Sequence, residues 1–169
     1  MPGIPTVKFD ASLVTEAVKA DLKQNILLLE DIDKNHFEQV YDAALRSITA
    51  GRDLHVLYSA LIQMNIDGMT KQRASQIALI LNNKASALIQ RTHRLSVGIT
   101  QAKWLYSAPC KINPKNPSDQ DKRQDAAHWA ANGMIFEVSK GMFLDGKWTW
   151  PGVEPGCRCG SKPIVAGFS

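Results

Sequence analysis

A single change of period governs what this chain can fold into. Up to about residue 98 the apolar residues recur three and four apart, from residue 108 turn residues multiply, and after Gly133 the repeat shortens to two. Amphipathic helices therefore come first and short strands follow. That order predicts an α+β protein: a mostly helical N-terminal part, a long helix, and a small antiparallel β module at the C-terminus.

The helical part divides into four segments. From Ser12 to Ile32, Leu13, Val14, Ala17, Val18, Leu22, Ile26 and Leu29 share a face, with Ser12 the expected N-cap. A second helix from Asp33 carries the stripe Phe37, Val40, Tyr41, Ala44, Leu45 and Ile48 and stops at Gly51. Asp53 caps a third, with Val56, Leu57, Ala60, Leu61 and Met64 inward and Gly68 closing it. Thr70 opens the longest, where Ile77, Leu81, Ala85, Leu88, Ile89 and Leu95 keep helical register up to Gly98. Arg73, Lys84, Arg91 and Arg94 read as its charged outer face. The chain is accordingly divided into a helical region, residues 1–69, and a second domain, residues 70–169.

In the second domain, Pro109, Pro114 and Pro117 mark an irregular loop, and a short helix runs from Asp121 to Asn132, closed by Gly133. Met134 to Val138 alternates as a strand. Phe143-Leu144 and Lys147-Trp148 flank Asp145-Gly146, a strong hairpin signal. Two Pro-Gly turns, at 151–152 and 155–156, deliver the chain to Cys157-Arg158-Cys159, and Pro163-Ile164-Val165 forms a closing strand.

Composition bounds the function classes. With 44% hydrophobic and 21% charged residues the chain has the make-up of a globular protein. No apolar run is long enough to span a bilayer, and Met1 to Pro5 lacks a signal-peptide layout, so membrane partners are not expected and synthesis is expected in the cytoplasm. Residues 1–69 hold six Lys/Arg against ten Asp/Glu, whereas residues 70–169 hold fourteen against six. The second part thus suits an acidic partner such as nucleic acid, although its scattered basic residues equally describe a solvated surface.

An ordered series runs through Gly98, Lys103-Trp104-Leu105, Arg123, His128, Asn132-Gly133, Pro151-Gly152, Cys157-Arg158-Cys159 and Pro163. In this order the residues resemble the C-terminal domain of the phage head morphogenesis family, the Mu F-like minor head proteins, over about residues 70–166. The structural motif it marks is Trp104, Arg123, His128, Gly133, Pro151, Gly152, Cys157, Arg158 and Cys159. The resemblance implies a structural role in head assembly and in DNA packaging or delivery near the portal vertex. It implies the portal and major capsid proteins as partners, with packaged double-stranded DNA as a further candidate, and no cofactor. It also implies assembly in the host cytoplasm and a place in the virion head. Residues 1–69 carry no such likeness.

Three cysteines, an odd number without signs of secretion, fit no disulfide framework. Cys157 and Cys159, two apart on an extended segment, face one way and with Cys110 and His128 make a candidate Cys3His zinc set. The favoured reading is simpler: small buried residues packing beside Trp148 or Trp150, with no metal. Arg158 faces the other way and is expected to pair with a carboxylate inside the module, with contact to DNA or a partner as the alternative. Trp104, Trp129, Trp148 and Trp150 are expected as core anchors, one or two of them alternatively at an interface. Asp125, three residues before His128, makes a cysteine–histidine–carboxylate arrangement conceivable, but a capping or surface pair is commoner. No catalytic residue is assigned and no enzyme is expected. The alternatives are a zinc-stabilised nucleic-acid-binding module contacting the packaged genome and, after it, a nuclease or toxin-like enzyme.

Overall fold

The computed structural model describes residues 9–167, so the leader reading of Met1 to Pro5 lies outside the described residues. After a short 3-10 turn at Ala11–Leu13 come four helices: α1 (Glu16–Leu27), α2 (Phe37–Thr49), α3 (Leu54–Gln63) and α4 (Lys71–Ser96). Strand β1 (Gln101–Leu105) and helix α5 (Asp119–Ala131) follow. The chain ends in β2 (Ile135–Glu137), β3 (Met142–Leu144), β4 (Lys147–Thr149) and β5 (Gly160–Ile164). The α+β class is as the sequence predicts.

The helix boundaries have local causes. Asp53 and Thr70 cap α3 and α4 with side chains that accept backbone N–H groups of His55 and Arg73. The first helix departs from expectation at its start: Thr15, not Ser12, is its N-cap, and Ser12 belongs to the 3-10 turn capped by Asp10. An extended Thr15 interrupts the helical path between the two, so one apolar stripe is served by two elements.

One hydrophobic core is built by α1 to α4 around Ile26, Val40, Leu57, Leu61, Ile77 and Leu81. Because α4 supplies Ala74 to Ala85 to it, the division between cores does not fall at residue 70. Polar links reinforce the packing. The buried Asn82 amide donates to Ser47 Oγ at 3.0 Å and to the Ala78 carbonyl at 2.9 Å. Two residues expected on the outer face of α4 instead turn inward to carboxylates. Arg73 reaches Asp31 at 2.7 Å and Lys84 reaches Asp21 at 3.2 Å, both half-buried pairs between elements.

A second core lies beyond α4. Strand β1 is the centre of a three-stranded antiparallel sheet, order β2-β1-β5, and its alternation buries Ala102 and Trp104 while exposing Gln101, Lys103 and Leu105. Strands β3 and β4 form a separate hairpin whose turn residues, Asp145 and Gly146, both have positive φ, as the sequence signal requires. Ala102, Trp104, Cys110, Ala131, Phe136, Val138, Met142, Cys157 and Cys159 form this core. Only Trp104 is a fully buried anchor. Trp150 is half-buried, whereas Trp129 and Trp148 are 68% and 56% exposed, which corrects the expectation that they fill the core. Trp129 lies on α5 beside the inward-facing His128, and Trp148 stacks edge-on with Phe143 on the outer side of the hairpin.

Candidate metal centre

Four side chains from three separate segments converge in the second core. His128 comes from α5, Cys110 from the loop before it, and Cys157 and Cys159 from the segment entering β5. Their ligand atoms all lie within 4.8 Å of one another, and all four residues are buried. His128 Nδ1 stands 3.4, 3.3 and 3.7 Å from the sulfurs of Cys110, Cys157 and Cys159. Metal–sulfur bonds of about 2.3 Å and metal–nitrogen bonds of about 2.0–2.1 Å would place sulfur about 3.5 Å from nitrogen around a tetrahedral ion. The group has the dimensions to hold a metal. The same four residues are also buried members of the second core, as the sequence favoured.

Each ligand is set by its neighbours. On α5 the buried positions are Gln124, His128 and Ala131, spaced four and three apart, so the helix turns its histidine into the module. Ser118 and Asp121 form a capping box that fixes the start of that helix. Asp125 Oδ1 accepts the backbone N–H of Cys110 at 3.1 Å and the hydroxyl of Tyr106 at 2.8 Å. This carboxylate therefore holds both ends of the short segment that presents Cys110; it makes no hydrogen bond to His128.

The Pro-Gly turns place the cysteine pair. Gly152 has φ +81°, and a Cβ there would stand 2.8 Å from the Ala87 side chain of α4 and 3.3 Å from the Cys159 carbonyl. Its N–H donates to Cys157 Sγ at 3.3 Å. At Gly156 a Cβ would come within 2.5 Å of the Lys111 and Ile112 backbone, so only glycine lets this turn close on the Cys110 loop. Gln124 binds the same turn through the Pro155 carbonyl at 3.4 Å.

The electrostatics suit a cation. Contacts with the thiols of Cys110 and Cys157, and with His128, hold Cys159 well below the usual thiol range against the effect of burial. Those same contacts with Cys157 and Cys159, and then burial, push Cys110 up. Against a hydrogen bond from Cys110, contact with Cys159 and burial push Cys157 up to about 12. The sulfurs are thus pushed in opposite directions within one buried group, whereas a divalent cation among them would stabilise every thiolate. The buried Trp104 indole N–H meets no conventional acceptor, and the Cys159 sulfur is the group beside it. With the Gly152 N–H, it gives the cluster two donors suited to thiolates.

The remaining motif residues are distributed around this centre. Trp104 packs edge-on to His128, ring centroids 5.0 Å apart, and its carbonyl accepts the Gly133 N–H at 2.8 Å. Pro151 is buried beside Gly152. Arg123 lies outside the cluster, 3.7 Å from Asp145 in a largely exposed pair. Arg158 corrects its expectation: among the described residues no carboxylate pairs with it, and its buried Nε has no partner. Sequence reasoning considered Asp125 only beside His128 and missed both its contact with Cys110 and the role of Tyr106. The signal available was Asp125 one helical turn before His128.

The chain is similar to an uncharacterized protein of Haemophilus influenzae, 26% identical over 152 residues. The match covers 90% of this chain and 30% of that protein's length. No family model matches the chain. No solved structure matches it either.

Proposed function

We propose that this chain is a structural phage head protein of the Mu F-like minor head kind, its C-terminal module pinned by one zinc ion on Cys110, His128, Cys157 and Cys159. One observation carries the reading: three of the four members of the buried Cys3His group, His128, Cys157 and Cys159, belong to the ordered series behind the resemblance, and Cys110 joins them from outside it. Trp104 walls it, Gly133 fixes Trp104, and Gly152 supports Cys157. Among metals, three sulfurs and one imidazole at tetrahedral spacing favour zinc.

The role that suits this centre is mechanical. Four protein ligands leave no open position for water or substrate, which is the pattern of structural rather than catalytic zinc. Asp125 is engaged by Tyr106 and Cys110, so His128 lacks the orienting carboxylate of a nucleophilic site. Bound zinc would tie α5, the Cys110 loop and β5 together where the sheet is small. The presence of a similar region within a much longer relative fits a module used as a building part.

The expected partners are the portal and major capsid proteins, met in the host cytoplasm during assembly and retained in the virion head. The test is affinity capture of the tagged chain from cells also making the phage's portal protein, beside infections lacking the chain. The reading expects portal protein to co-elute and heads without the chain to fail in filling with DNA. Folded chain that captures no portal protein, with normal heads in its absence, overturns it.

A further inference from the structure

A second site lies on the other side of the Cys157–Cys159 segment. A cavity of about 290 Å³ opens between α4 and the C-terminal module, and four arginines line it: Arg52, Arg91, Arg94 and Arg158. Among the described residues no carboxylate lines it. Arg52 comes from the turn after α2, Arg91 and Arg94 from one face of α4, and Arg158 from between the two cysteines. Four positive charges are brought together by three distant stretches of chain.

Their contacts are all with neutral groups. Arg52 donates to Asn83 Oδ1 and, at 3.2 Å, to Ser86 Oγ. Arg94 donates to Ser161 Oγ and, at 3.1 Å, to the Ser161 carbonyl. The Arg91 guanidinium lies 4.0 Å above the Trp150 ring, and Arg158 Nε is buried without a partner. Elsewhere the same chain matches a half-buried arginine with an acid, as Arg73 with Asp31. Desolvation lowers the affinity of Arg52, Arg91 and Arg94 for their protons, so the cavity holds charge at a cost that an anion would relieve.

We propose that this cavity is a phosphate site that takes two adjacent phosphoryl groups, whether of a free diphosphate or of consecutive nucleotides in a nucleic-acid strand. Charge selects the class. A free diphosphate brings about three to four negative charges and two consecutive phosphodiesters bring two, against one for a carboxylate side chain. Geometry agrees, because guanidinium forks match phosphate oxygens two at a time. The four arginines are not metal ligands, although Cys159 also lines the cavity and Arg158 needs the segment around it folded.

The test titrates the full chain with pyrophosphate, and separately with a short duplex DNA, by calorimetry at low and moderate salt. The expected result is saturable pyrophosphate binding at one per chain, weakened at least tenfold in Arg52→Gln and in Arg94→Gln. Lys71→Gln, a charge change away from the cavity, is the control and should stay within twofold. Arg52 is the exposed member of the set, so Arg52→Gln keeps the test usable if Arg94→Gln unfolds. Duplex DNA that displaces pyrophosphate and weakens in the same variants identifies the strand as the source. Pyrophosphate binding without displacement identifies a free phosphate compound. No saturable binding of either, or binding indifferent to both arginine substitutions, overturns the proposal.

Discussion

Asp125 shows how much one side chain decides. Its Oδ1 receives both Tyr106 and Cys110, so removing it frees the segment that presents a ligand. Asp125→Ala is expected to leave the fold standing while zinc affinity drops about 10–100-fold, measured by competition with a chromogenic chelator. The same carboxylate marks Tyr106. Burial, and then the Asp125 hydrogen bond and charge, raise its hydroxyl from 10.0 to about 12. The folded chain therefore holds this proton more tightly than the unfolded chain, and stability falls as pH rises from about 10 to about 12. Wild type minus Tyr106→Phe, followed by phenolate absorbance, should show a transition near 12; one near 10 contradicts the contact. At this scale the sequence was partly legible. The four ligand residues could be named as one set, but spacing along the chain does not report convergence, and packing looked the simpler reading. Arg158 was misjudged because none of the described carboxylates is placed to pair with it, a fact of tertiary placement.

Elements were legible where a local cause sets them. Thr70 with its cap, the Asp145-Gly146 turn and the helical stripe of α2 each carry their own signal. Strand β1 does not, since its five residues follow a helix of 26 and gain their meaning only from β2 and β5 on either side. Nor could the sequence say what the Pro-Gly turns press against. Gly152 touches α4 on one side and Cys157 on the other, so it joins both cores. Gly152→Ala is expected to destabilise by about 1–3 kcal/mol through its positive φ and its contact with Ala87, read from the denaturant midpoint. A midpoint unchanged from wild type would show that this close approach is not tight. Zinc should also leave the variant faster, because the N–H that supports Cys157 moves with the turn.

The whole molecule is two cores sharing one long helix, and they differ in what sustains them. The first buries aliphatic side chains from four helices, while the second is small and has the Cys3His group at its centre. Stripping metal with a strong chelator under reducing conditions should therefore loosen the second core alone. Hydrogen exchange is expected to accelerate at Ala102, Trp104, Phe136 and Val138 while α2 and the first half of α4 stay protected. Equal protection before and after chelation would deny the metal any structural role. The measurement that bears most directly on the central claim is metal content by native mass spectrometry of the purified chain, beside Cys157→Ala and His128→Ala. The account predicts one zinc ion on the wild type, with the cysteine protons displaced, and a sharp loss of zinc in both variants. A wild-type chain that is folded, metal-free and unable to take up zinc would contradict it.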